Sequence, residues 1–211
     1  MQNTSSSEFS PQQSLAVIQS MIDTARNKFS ENGHLYLLWG WVVFFCSIAQ
    51  FVLLNYFRWP YHYLVWMLTW LAVIYQTIYL VRNKRKAKVR TYADSIIGYV
   101  WMAFVVLMFL FGFLFGRELG ESYYRLINPG FLALYGMPTF LSGIILKFRP
   151  LVIGGIGCWV LSIVATYIPY EYQLLLLSIA MIIAWIIPGY LLRSKYKREI
   201  GYYDAEAVNS A

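Results

Sequence analysis

Arg82-Asn83-Lys84-Arg85-Lys86-Ala87-Lys88-Val89-Arg90 places six basic residues in nine positions, between two apolar runs of about twenty residues each. Hydrocarbon dissolves such a block poorly, so it stays on one side of a bilayer. Lys and Arg accumulate on the cytoplasmic side of membrane proteins. The block therefore sets the orientation of every apolar run around it.

The composition agrees. Of 211 residues, 59% are hydrophobic, 19% aromatic and 13% charged, whereas an ordinary soluble domain is about 25% charged. The net charge of +7 does not point to nucleic acid, because the basic residues gather at the ends of apolar runs. Cys46 and Cys158 each lie inside such a run. That pattern excludes a disulfide framework or a zinc site of cysteine pairs, and both read as small apolar side chains. Met1 to Ser10 has neither a basic residue nor an apolar core, so no cleavable leader is expected.

Residues 1–10 read as a disordered polar tail. Ser10, Pro11 and Gln13 then form a helix start of the capping-box type. Leu15, Ile18, Ile22, Ala25 and Phe29 follow at spacings of three and four, and Asn32-Gly33 is a helix stop. The spacing predicts an amphipathic interfacial helix over 11–33, on the cytoplasmic side of the membrane. Its stripe Leu15, Ile18, Ile22 and Phe29 is a candidate protein-binding surface. Docking on the helix's own protein is the plainer alternative.

Beyond it the apolar runs predict six spans within 34–193, at 35–57, 61–81, 95–116, 129–147, 150–168 and 172–192, and then a polar tail over 194–211. Tyr56, Trp59, Tyr61, Tyr63 and Trp66 make an aromatic belt at the first turn. With six spans, Arg26, Lys28, the basic block, Lys147, Arg149, Arg193, Lys195, Lys197 and Arg198 fall on the side of the termini. Arg58, Arg117 and Arg125 fall on the other. The asymmetry predicts both termini in the cytoplasm. The expected fold is an all-α bundle of six transmembrane helices led by one amphipathic helix.

No Asp, Glu, Lys, Arg or His falls in the middle of a span, which disfavours a proton-coupled pump. Gln50 and Gln76, together with Pro138 and Thr139 in a kinked fourth span, are the candidates for a solute path. The alternative is that hydroxyls and amides only join helices. Gly112, Gly116 and Gly120 recur every fourth residue, which suits close helix packing or dimerisation. His62, Glu118, Glu121 and Glu171 are spread over three loops without metal-ligand spacing and read as solvated. Neither a catalytic set, nor a metal site, nor a cofactor is expected.

Ser14-Leu15, Ile18, Met21-Ile22 and Tyr36-Leu37-Leu38-Trp39-Gly40-Trp41 resemble the opening of an uncharacterised family of short bacterial six-span inner-membrane proteins. Leu146-Lys147-Phe148-Arg149-Pro150-Leu151 with Gly154-Gly155 is similar as well. The resemblance implies a bacterial cytoplasmic membrane and brings no activity. Two functions are expected from the residues: a non-enzymatic protein acting through a protein partner at its cytoplasmic face (an anchor, sensor or assembly factor), or a small transporter or channel. The bilayer is the one certain partner, and a homo-oligomer is a further expectation.

Overall fold

A computed structural model describes residue 15 and residues 33–86, 92–195 and 197–198. The described residues are almost all helical, without a strand. Helix α1 covers Gly33–Asn55, and a 3-10 turn at His62–Met67 leads into α2, Leu68–Lys86. Helix α3 is Tyr92–Glu118, α4 is Tyr123–Ile145 and α5 is Arg149–Ala165. The last helix, α6, runs from Tyr170 to Lys195. A π-helical turn, Ile182–Ile186, interrupts it.

Among the described residues four helical stretches are long and apolar enough to cross a membrane: Gly33–Asn55, His62–Arg82, Ser95–Glu118 and Tyr170–Lys195. Helix α5 is apolar but has only 17 residues. Helix α4 has 23 residues, with Pro129 and Pro138 inside it and Gly, Tyr, Ser and Thr diluting its apolar content. The chain is thus a helical, membrane-embedded protein. Of the N-terminal stripe, Ile18, Ile22 and Phe29 lie outside the described residues, while Leu15 is helical and exposed. Gly33 is helical and buried at the start of the described part of α1, and Asn32 lies outside the described residues.

The core lies where α1, α4, α5 and α6 meet, around Val43, Leu132, Tyr135, Leu151, Leu177 and Trp185. Lipid offers no hydrophobic drive for helices to associate, so small residues that let backbones approach decide which ones pack closely. A Cβ on Gly155 would stand 2.8 Å from the Phe140 backbone nitrogen, and one on Gly143 would stand 2.6 Å from that of Val152. These contacts hold α4 against α5. A Cβ on Gly154 would stand 2.6 Å from Ala184 Cα, which holds α5 against α6. Helix α2 packs chiefly on α1, and α3 chiefly on α4, where Phe111 covers Gly130.

Helix α4 stops in a Schellman turn. Phe148 N donates to Gly143 O at 2.8 Å and Lys147 N to Ile144 O at 3.0 Å. Lys147 takes the left-handed position there, with φ 50°, which a glycine usually fills.

Candidate functional site

The residues singled out for a solute path are occupied by the fold itself. Gln50, buried on α1, accepts a hydrogen bond from Trp66 Nε1 at 2.6 Å. Its amide nitrogen has two hydrogens, one donated to Tyr170 Oη and one to His62 Nδ1, each at 3.0 Å. With Nδ1 accepting, the imidazole proton sits on Nε2. One side chain thereby ties α1 to the 3-10 turn and to the start of α6. His62, expected to be solvated, is half-buried in this cluster because the 3-10 turn folds back over the end of α1.

Gln76 on α2 accepts from Trp39 Nε1 at 2.5 Å and so fastens α2 to α1. Thr139, fully buried, donates to Tyr135 O at 2.8 Å and accepts from Trp185 Nε1 at 2.8 Å. Pro138 has no N–H to give the Leu134 carbonyl, and the helical turn around it is packed in the core beside Trp159 and Trp185. Two hydroxyls nearby, Tyr36 Oη and Ser142 Oγ, are buried without a hydrogen-bond partner among the described residues.

Gln173 is a further polar anchor, one the sequence reading passed over. Its two N–H groups serve three carbonyls, those of Arg125 at 3.2 Å, Ala165 at 3.1 Å and Ile168 at 3.0 Å. Its carbonyl accepts from Asn128 at 3.3 Å. Two of these acceptors need a donor. Pro129 cannot supply the N–H that Arg125 O would receive four residues on, and Ile168 O lies past the end of α5, where the helical ladder has stopped. Ala165 O already accepts from Ile168 N at 3.2 Å and takes Gln173 as a second donor. The signal was present in the sequence as Pro129 and the short link Pro169-Tyr170-Glu171 before Gln173.

The glycine row does not pack within the chain. Nothing stands within 4 Å of a Cβ on Gly112 or Gly120, and Gly116 meets only the Tyr123 ring at 3.7 Å. Gly120 lies outside α3: it opens the 3-10 turn Gly120–Ser122 with φ 50°. The spacing is that of a packing motif, but among the described residues no helix packs closely against it.

Between α1, α2 and the end of α6 runs an open groove of about 660 Å³. His34, Trp41, Leu71, Tyr75 and Arg193 are among the residues that border it. His34 Nε2 and Tyr75 Oη are 3.0 Å apart, and the His34 ring lies against Tyr79 at 5.1 Å. Cys46 and Cys158 are free thiols buried in the bundle. Among the described residues there is no cluster of three or more His, Cys, Asp or Glu side chains suited to a metal ion. No family model, no curated protein and no solved structure matches the chain.

Proposed function

We propose that this chain is a multi-pass protein of the bacterial inner membrane, with six spans and both termini in the cytoplasm, that acts without catalysis through a protein partner at its cytoplasmic face. The observation that carries the reading is the use of its buried polar groups. Gln50, Gln76 and Thr139, the side chains best suited to a solute path, are engaged with Trp66, His62, Tyr170, Trp39 and Trp185. That supports a cross-linked interior over a conduit. The start of α1, the second half of α2 and the end of α6 meet at one end of the bundle. This supports the even number of crossings that the Lys and Arg asymmetry requires.

A second reading, a small transporter or channel, draws on the π-helical turn in α6 beside Pro138 in α4. Such interruptions often occur at functional sites and in the broken helices of transporters.

Two experiments test the first reading. In a background lacking Cys46 and Cys158, Glu121→Cys should react with an impermeant thiol reagent on intact cells and Lys86→Cys should not. The reverse labelling overturns the orientation. Ile22→Asp puts a charge into the N-terminal stripe. It should remove co-purifying protein and the cellular phenotype while the bundle keeps its Tm, with Gln76→Leu leaving the phenotype intact. If Gln76→Leu abolishes the phenotype and Ile22→Asp does not, transport is the better reading.

A further inference from the structure

The groove between α1, α2 and the end of α6 has two chemically different parts. Its length along α1 and α2 is aliphatic and aromatic, from Leu37 to Phe45 and from Leu68 to Ala72, and it opens outward from the bundle. One end is polar, bordered by His34, Tyr75, Tyr190 and Arg193. Tyr190 and Arg193 are exposed, and among the described residues no carboxylate lines the groove. From His34 to Cys46 the lining covers roughly 18 Å of helix, against about 15 Å of hydrocarbon in one leaflet. When the apolar part lies in the leaflet, the polar mouth lies at headgroup depth.

We infer that this groove holds one anionic phospholipid, its acyl chain along Leu37, Trp41 and Phe45 and its phosphate at Arg193. A guanidinium matches a phosphate with two parallel N–H donors, and the Tyr75 and Tyr190 hydroxyls supply neutral donors beside it. The charge at the mouth selects among lipids. A zwitterionic headgroup carries the same phosphate, but its ammonium finds no carboxylate in this lining, whereas an anionic headgroup needs none. A second copy of the chain could cover the apolar length of the groove but would leave the guanidinium without a counter-charge. Because the mouth lies at a membrane surface in either orientation, the inference is independent of the topology and of the partner reading.

The test uses the full chain in nanodiscs of phosphatidylglycerol and phosphatidylcholine with identical chains in equal amounts, followed by native mass spectrometry of the detergent-released protein. Phosphatidylglycerol should be retained at least about five-fold over phosphatidylcholine, and Arg193→Gln should remove that preference, the size expected for one cation at the membrane surface. Arg193 is exposed, so this change leaves the packing alone. A second measurement locates the chain: phosphatidylglycerol brominated along its acyl chain should quench the wild type more than Trp41→Phe. Equal retention of the two lipids, or a preference that survives Arg193→Gln, overturns the inference. So does a dimer that excludes lipid and is indifferent to Arg193→Gln.

Discussion

Helix α6 and the outer helices α2 and α3 are comparably apolar and each is long enough to cross a bilayer, yet 56% of the apolar stretch of Tyr170–Lys195 is buried, against 6% for His62–Arg82 and 11% for Ser95–Glu118. Apolar content therefore decides that a helix enters the membrane and says little about where it sits in the bundle. In lipid the deciding terms are close approach and hydrogen bonding between helices. Helix α6 has both. Ala184 is met by Gly154, Gln173 serves three carbonyls, and Trp185 donates to Thr139. Helix α3 turns Tyr99, Met102, Phe109 and Phe113 outward instead and touches the core mainly through Ile97 and Phe104.

The largest effect should come from making the two regions exchange glycine for bulk. Gly154→Leu pushes a side chain into the Ala184 backbone, which cannot swing aside. A loss of about 3 kcal/mol, the upper range for overpacking, is expected. Gly112→Leu, with open space around it, should stay within about 0.5 kcal/mol. Thermal unfolding in detergent separates the two, and equal Tm values would remove close approach as the distinguishing term.

Next come the polar anchors. Gln173→Leu leaves the Arg125 and Ile168 carbonyls short of a donor and removes the second donor of Ala165 O, and should cost about 1–3 kcal/mol. Gln76→Leu frees only the half-exposed link to Trp39 and should cost about 0.6 kcal/mol, the average for such a bond in a membrane. If the peripheral change is the costlier, α2 is held more tightly than its exposure indicates.

A smaller effect should appear in a double-mutant cycle. Thr139→Val and Trp185→Phe remove the two ends of one buried bond, so together they should cost less than their sum by about 0.5–1.7 kcal/mol. Strict additivity would mean the 2.8 Å contact contributes nothing.

The finest distinction lies within the outer region itself. Gly120→Ala forces a Cβ onto a residue at φ 50° and should destabilise by about 1 kcal/mol. Gly112→Ala sits in a helix with free space and should be neutral or stabilising by up to about 0.5 kcal/mol. Should Gly112→Ala instead weaken self-association, the exposed glycines are a contact between copies of the chain.

Much of the helical plan was legible because each helix is announced by local residues. The apolar runs, the prolines and the aromatic turn at Trp59 all act within a few positions of themselves. The site was less legible, because its meaning depends on partners far along the chain. Gln50 read as a polar group looking for a solute until Tyr170, 120 positions away, supplied its acceptor. Gly112, Gly116 and Gly120 had the right spacing, but only Gly116 has a neighbour among the described residues, the Tyr123 ring at 3.7 Å, while Gly143, Gly154 and Gly155 form the close contacts without that spacing. Periodicity along one helix cannot tell which side of it another helix will occupy.

The π-helical turn at Ile182–Ile186 has a consequence for how this chain tolerates length changes. A π turn holds one residue more than an α turn would, so removing a single residue there can restore a regular helix at little backbone cost. The turn has absorbed the extra residue, so after its removal the helix on either side keeps its facing. Tyr190 and Arg193 would stay beside His34 and Tyr75, and Gln173, Leu174 and Leu177 would keep their places. The same shortening in the regular helix before the turn would instead rotate everything beyond it by roughly 100°, so Ile182–Ile186 is a point at which α6 can lose a residue and stay seated.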